Sequence, residues 1–339
     1  MRTVVLLWTI LASAALALAA DAVTTTLSSG SDSFTLTAGS TNNPAATTIT
    51  ASTTYSLAPP NKFYVYAYFL NSTAALTNGA GHFIPSSAFF ISNNGGNANA
   101  VTSNAAFNGG LGGANAGLQL EYINVGPSNK TGTVTDTMTF RLDLSGVQQL
   151  PAGTYTGTLY VQAIGTGPVA GVGMGPGGST SGALPITLTA TLPESLTVSL
   201  SGSSVTFSLT PGSATNPGNT TVTATTSWVM RPSRTTVGLY ASFTSAAAAL
   251  TDGAGNNIPS SAFSISDNGG VATALTNTVL FGGANAGLQL ASMPITSANE
   301  NSSRTDALSF NINLTGGTLP QLPAATYTGT LYIQAQTTP

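Results

Sequence analysis

The chain repeats itself, and this limits what it can fold into more than any other feature. Pro85-Ser86-Ser87-Ala88-Phe89 recurs as Pro259-Ser260-Ser261-Ala262-Phe263. The nonapeptide from Gly112 to Leu120 (GGANAGLQL) returns unchanged from Gly282 to Leu290, and Thr154 to Tyr160 (TYTGTLY) returns from Thr326 to Tyr332. The order is the same in both halves, with small differences in loop length. A period this long marks whole folding units rather than the short units of a solenoid. Two homologous domains are therefore expected, at 21–194 and 195–339. Pairing Phe34 with Phe207 also pairs Val23 with Leu196 and Leu27 with Leu200, which sets the start of each copy. Only Pro193-Glu194 separates the end of one pattern from the start of the next, so the joint should be stiff.

Each copy reads as β. Met138, Phe140, Leu142 and Leu144 alternate with polar residues, and Leu308, Phe310, Ile312 and Leu314 repeat the pattern. A period of two describes a half-buried strand. Tyr155, Leu159 and Val161, with their counterparts Tyr327, Leu331 and Ile333, show it again, as does the run Leu184, Ile186, Leu188, Ala190 and Leu192. Asn-Gly, Asp-Gly and Gly-Gly pairs punctuate these runs as turns. The fold class predicted is all-β: two tandem antiparallel sandwiches of immunoglobulin-like type.

Ahead of the first copy, residues 1–20 carry Arg2, an apolar run from Val4 to Leu18 and small residues at Ala17 and Ala19. This is the pattern of a secretory signal peptide, and the run falls short of the roughly 20 apolar residues a membrane span needs. Export to the cell surface or the medium is expected, with no membrane span. The surface is correspondingly neutral, because only 5% of residues are charged against about 25% in ordinary domains. Without a Lys/Arg cluster there is nothing to neutralise a phosphate backbone, which excludes nucleic acid as a partner.

The segment Leu150-Pro151-Ala152-Gly153-Thr154-Tyr155-Thr156-Gly157-Thr158-Leu159, repeated as Leu322 to Leu331 with Ala325 for the glycine, resembles the late-strand motif of secreted bacterial surface proteins of the spore-coat-U and fimbrial type. The resemblance implies immunoglobulin-like subunits of extracellular appendages, completed in many cases by a strand from a neighbour. The present chain differs in having no cysteine and two fused copies.

Chemistry-bearing residues are few. With no cysteine and a single histidine, His82, opposite Asn256 in the other copy, no nucleophile or metal cluster is assembled; His82 reads as an isolated loop residue. Asp136 and Asp306 read as side-chain acceptors in turns leading into strands. Asp252 and Asp267 offer oxygens of the kind that hold calcium, but Asn78 and Asn93 replace them in the first copy and Asp-Gly is an ordinary turn. No catalytic residue, metal or cofactor is assigned. Two features remain. Tyr64, Tyr66 and Tyr68 share one face of a strand whose other face, Phe63, Val65, Ala67 and Phe69, is core. They are expected to form an exposed aromatic patch, a seat for glycan or protein, or else to pack against neighbouring strands. After Ala335 the second copy runs only to Pro339, where the first continues into Leu184 to Leu192, so it should be a strand short. Val23, Thr25 and Leu27 alternate as a donated strand would, or as the first strand of their own domain. The function read from these features is a non-enzymatic structural or adhesive surface protein. Its expected partners are its own copies or other surface proteins. The alternative is a pair of carbohydrate-binding modules.

Overall fold

The computed structural model describes residues 21–103, 114–147, 149–166 and 179–339. Residues 1–20, read above as a signal peptide, Gly112 and Gly113 of the first nonapeptide, and most of the glycine-rich stretch 165–182 lie outside them. Among the described residues every long element is a strand, and the helical content is three single 3-10 turns.

The first set of strands is β1 (Ala22–Leu27), β2 (Ser31–Thr35), β3 (Asn43–Ser56), β4 (Asn61–Tyr68), β5 (Phe89–Asn93), β6 (Gly117–Val125), β7 (Thr131–Leu142), β8 (Gly153–Thr166) and β9 (Leu184–Leu192). One sheet runs β1-β3-β7-β5, all antiparallel. The other runs β6-β4-β8-β9-β2, with β2 parallel to β9. The period-two residues face inward as the pattern requires: Ile49 and Met138 from one sheet meet Val65, Leu159 and Leu188 from the other, all fully buried. Edge-on contacts of Phe34 and Phe69 with Phe89, at 5.9 and 5.2 Å between ring centres, tie the sheets together.

The second set repeats seven of these strands: β10 (Ser195–Leu200), β11 (Val222–Val229), β12 (Thr236–Ser242), β13 (Phe263–Asp267), β14 (Gly287–Pro294), β15 (Asn301–Ile312) and β16 (Tyr332–Thr338). Its sheets are β10-β11-β15-β13 and β14-β12-β16. The aromatic cluster recurs too, with Phe207 and Phe243 edge-on to Phe263. Each set has its own apolar core.

The repeated segment Thr154 to Tyr160 makes the same backbone tie in both copies. Tyr155 is buried and its hydroxyl donates to the Pro151 carbonyl at 2.9 Å; Tyr327 repeats the bond to Pro323 at 3.0 Å. A tyrosine that ties a strand start to the backbone a few residues upstream is a recurrent corner device of immunoglobulin-like sandwiches. Tyr155→Phe leaves the buried Pro151 carbonyl without this donor, so the first sandwich should lose about 1–2 kcal/mol in urea unfolding. Tyr327→Phe should leave the second nearly unchanged, because that ring is only half-buried.

The two sandwiches touch. β9 ends at Leu192 and β10 starts at Ser195. Across the joint the Ala152 N–H donates to the Met230 carbonyl at 2.9 Å and the Asn301 side chain to the Leu150 carbonyl at 3.2 Å. Val229 packs into the first core, and Arg234 grips Glu194 with two bonds of 3.1 Å.

Candidate functional site

In the first sandwich, β9 lies between the first half of β8 and β2. It antiparallel-pairs with Gly153 to Val161 and runs parallel to Ser31 to Thr35. Its inward residues Ile186, Leu188, Ala190 and Leu192 are all buried. In the second sandwich no described strand takes this place. The counterpart of β8 forms a strand only from Tyr332 onward, beside β12. Upstream of it a lone bridge, Thr251 to Thr328, is the only ladder contact. The counterpart of β2, around Val205 to Leu209, is reduced to a single bridge from Phe207 to Gly218, the equivalent of the Phe34 to Ala45 contact of β2, because the parallel ladder on β9 has no counterpart there.

What remains is an apolar groove. A cavity of about 280 Å³ is lined by Phe207, Val222, Phe243, Leu331 and Ile333, with Leu200 and Gly329 among its other walls. The burial of paired positions differs accordingly: Phe34, Leu36, Tyr155 and Leu159 are buried, whereas Phe207, Leu209, Tyr327 and Leu331 are partly open. Leu200 and Tyr332 stand 43% and 48% exposed. These side chains are apolar because the alternation built them for a core, and the face they would pack against is vacant. The pattern in 195–339 shows no counterpart of Leu184 to Leu192; it does not signal that the β2 counterpart loses its strand as well.

The candidate residues fall elsewhere. The expectation of an exposed row at Tyr64, Tyr66 and Tyr68 is corrected: Tyr66 and Tyr68 are 4% and 1% exposed and Tyr64 is half-buried. The reason is that β4 is flanked on both sides, by β6 and β8, so the rings find cross-strand partners. Tyr64 lies 5.0 Å from Tyr122 and 5.8 Å from Tyr66, and Tyr68 stacks on Tyr160 at 5.7 Å. The Tyr68 hydroxyl donates to Gln162 at 3.0 Å. Burial raises both phenols, with Tyr66 and Tyr68 each pushed up to about 12. The solvent-facing ring of this set is Tyr122, 39% exposed.

Val23, Thr25 and Leu27 are not presented for donation. β1 is paired over its whole length with β3, Val23 opposite Tyr55, Thr25 opposite Thr53 and Leu27 opposite Ala51. Val23 is buried, and the hydroxyls of Thr25 and Thr53 are 3.0 Å apart. The same holds for β10 on β11 in the second copy.

Asp136 and Asp306 are not turn residues either. They lie inside β7 and β15, fully buried on the inward parity of Met138 and Leu308. Asp136 accepts from the Asn93 side chain at 2.6 Å, and its other oxygen is unbonded. Burial holds its carboxyl above the ordinary range, against the pull of Asn93. Asp306 accepts from Arg304 at 2.6 Å and from Asn268 at 3.1 Å. The signal that would have placed them was their even spacing from Met138 and Leu308, which outweighs the turn preference of an aspartate. Asp252 closes its own loop, accepting from Ala254 and Asn256, and hydrogen bonding led by Asn256 lowers its carboxyl. Among the described residues no three His, Cys, Asp or Glu side chains cluster as metal ligands would, and no helix is long and apolar enough to cross a membrane.

No family model and no curated protein matches this chain. Among solved structures, it is similar to the chaperone and tip adhesion subunit complex CsuC-CsuE from archaic chaperone-usher Csu pili of Acinetobacter baumannii. The identity is 13% and the TM-score 0.40, covering 92% of this chain and 100% of that one. It is also similar to CfaE, the adhesive subunit of CFA/I fimbria of enterotoxigenic Escherichia coli, at 9% identity and TM-score 0.28, covering 92% and 81%. AvmM, which catalyses macrocyclization in alchivemycin A biosynthesis, is similar over 50% of this chain and 88% of its own, at 10% identity and TM-score 0.25. Likeness at this level carries no argument about function, and the groove is read on its own geometry.

Proposed function

We propose that this is an exported, non-enzymatic structural or adhesive surface protein of two domains, 21–194 and 195–339, which joins a larger assembly by taking an extended strand of another polypeptide chain into the groove of its second domain. One observation carries the reading: the first domain fills with β9 a place that stands open in the second. An unpaired edge beside an apolar trough is a template for strand addition, in which backbone bonds give affinity and alternate side chains give selectivity. The low charge of the chain suits a protein that packs against others. The buried carboxylates Asp32, Asp136 and Asp306 support the non-enzymatic reading, because each accepts a hydrogen bond from a neighbouring segment.

The first domain also supplies the template for the guest. By the register of β8 and β9, Leu188 lies opposite Gly157 and Ala190 opposite Tyr155. The guest should thus place a large aliphatic residue opposite Gly329 and a small one opposite Tyr327. A peptide of residues 183–194 is the direct probe. At a hundredfold excess over its Kd it should stabilise the second domain by about 2.7 kcal/mol. Trp228, the one tryptophan in 21–339, reports this domain's unfolding. The same peptide with Leu188→Asp should do nothing. No stabilisation by either peptide would overturn the reading. A groove already closed by the same polypeptide in protein taken from its native surface would overturn the assignment to another chain.

A further inference from the structure

The outer face of β4 and β6 carries side chains that the sheet does not need. The register sets Lys62 opposite Asn124 and Tyr64 opposite Tyr122. Alternate residues of a strand share a face, so the four form one block, with the aromatic pair in one row and the cation in the next. The rings of Tyr64 and Tyr122 lie 5.0 Å apart with their planes at 34°, and the Tyr122 hydroxyl donates to Asn124. Lys62, Asn124 and Tyr122 are exposed and Tyr64 is half-buried. Among the described residues β6 is the outermost strand of its sheet, which leaves Tyr122 open on the far side. In the second sandwich the same register sets Thr236 opposite Pro294 and Gly238 opposite Ser292. That sheet forms without an aromatic or charged group at any of the four positions, so strand pairing does not explain them in the first.

Charge sets the ligand. Among the described residues Arg141 stands beside Asp143, Arg231 and Arg234 beside Glu194, and Arg304 beside both Asp267 and Asp306. His82 faces Glu300 across the joint at 3.4 Å, which corrects its reading as an isolated loop residue. The lysines, Lys62 and Lys130, make no ion pair with any of these residues. Lys130 ends the hairpin between β6 and β7, next to Asn129, whose side chain donates to the Asn124 carbonyl at 3.0 Å. Both unpaired cations thus lie toward the same end of the first sandwich. Two carboxylates of this region are turned to other work: Asp21 accepts from the Ala58 backbone and the Asn61 side chain, and Glu121 from the Tyr122 backbone.

We infer that this block binds an acidic polysaccharide, one whose pyranose rings carry carboxylates. A tyrosine ring is a broad apolar surface with a polar tip, which suits the C–H face of a pyranose. Lys62, one row away, supplies a compact positive charge for the carboxylate, and the Asn124 amide offers a donor to the ring hydroxyls. A single exposed charge pair is weak, so firm attachment comes from many copies of the chain engaging one polymer. The site gives the adhesive part of the proposed function a ligand. It lies on the first sandwich and does not depend on the groove of the second.

The experiment is calorimetric titration of the full chain with oligosaccharides of galacturonate, of alginate and of hyaluronate, each compared with its methyl ester, which keeps the ring and loses the charge. At least one acid should bind the wild type, and its ester about three- to fivefold more weakly. Tyr122→Ser should weaken the acid about tenfold or more, and Lys62→Thr should bind acid and ester alike. The second copy carries serine and threonine at these positions, so both variants should keep the fold, which urea unfolding checks; the ester comparison needs no variant. Affinity should be the same with and without the 183–194 peptide. No binding of any of the three acids, equal binding of acid and ester by the wild type, or undiminished binding by folded Tyr122→Ser would overturn the site. Loss of binding on adding the peptide would place the ligand in the groove instead.

Discussion

Gly157→Ala should unfold the first sandwich or cost it upward of about 3 kcal/mol, beyond the usual range for overpacking. A Cβ at this position would overlap the Ala75 carbonyl oxygen, a backbone atom with no rotamer to escape into. The strand has no room to retreat. Thr77 is paired to Thr156 on one side, and Leu188 of β9 is paired to Gly157 on the other. Gly329 meets the Ala249 carbonyl in the same way, but the place of β9 beside it is open, so the segment can swing outward. Gly329→Ala should therefore be well tolerated in the isolated protein and should instead weaken uptake of the 183–194 peptide, because a filled groove removes the same freedom. Urea unfolding followed by tyrosine and Trp228 fluorescence, with peptide titration, checks both halves of this expectation. Equal losses at the two glycines without peptide would show that the open side confers no freedom.

Asp136→Asn and Asp306→Asn, at equivalent positions, should shift stability in opposite directions. Asp136 is buried with one oxygen unbonded and, among the described residues, has no ion-pair partner, and burial holds its carboxyl above the ordinary range. Its native state binds a proton more readily than the unfolded chain, so stability falls as pH rises from about 4. Asparagine keeps the acceptor for Asn93 and removes the charge. The variant should gain about 1–2 kcal/mol at pH 7 and lose that advantage toward pH 3, where wild-type Asp136 is protonated. Asp306 instead holds the Arg304 guanidinium against its carboxylate. Its replacement should cost about 1–2 kcal/mol, because a charged hydrogen bond to Arg304 is weakened while Arg304 keeps Asp267 as its second partner. Denaturation at pH 7 and pH 3 reads all four values, and like signs at pH 7 would refute the comparison.

The strands were legible wherever side chains alternated strongly. Met138 to Leu144 and Leu184 to Leu192 show the period of two in their residues, and both face the core as that period dictates. That residues 195–339 hold no equivalent of Leu184 to Leu192 was legible as well, since it is a matter of comparing equivalent segments. Other features depended on neighbours that no local pattern reveals. The faces of Tyr64, Tyr66 and Tyr68 alternate correctly, yet whether a strand's outer face is wet depends on what lies beside it, here β6 and β8. The strand state of Ser31–Thr35 is equally non-local: Val205 to Leu209 has the same alternation and no ladder, because it has no β9 to pair with. His82 and Glu300 are separated by most of the chain, and only the packing of one sandwich on the other brings them within 3.4 Å.

The junction at Pro193-Glu194 has a mechanical meaning. β9 passes into β10 with two residues between, so a pull on the second sandwich is delivered lengthwise into β9. β9 is laddered antiparallel to β8 over nine residue pairs and parallel to β2 over five. A load along its axis must shear these bonds together rather than peel them one at a time, and the strand that completes the first sandwich is also the one that would bear the tension between the two.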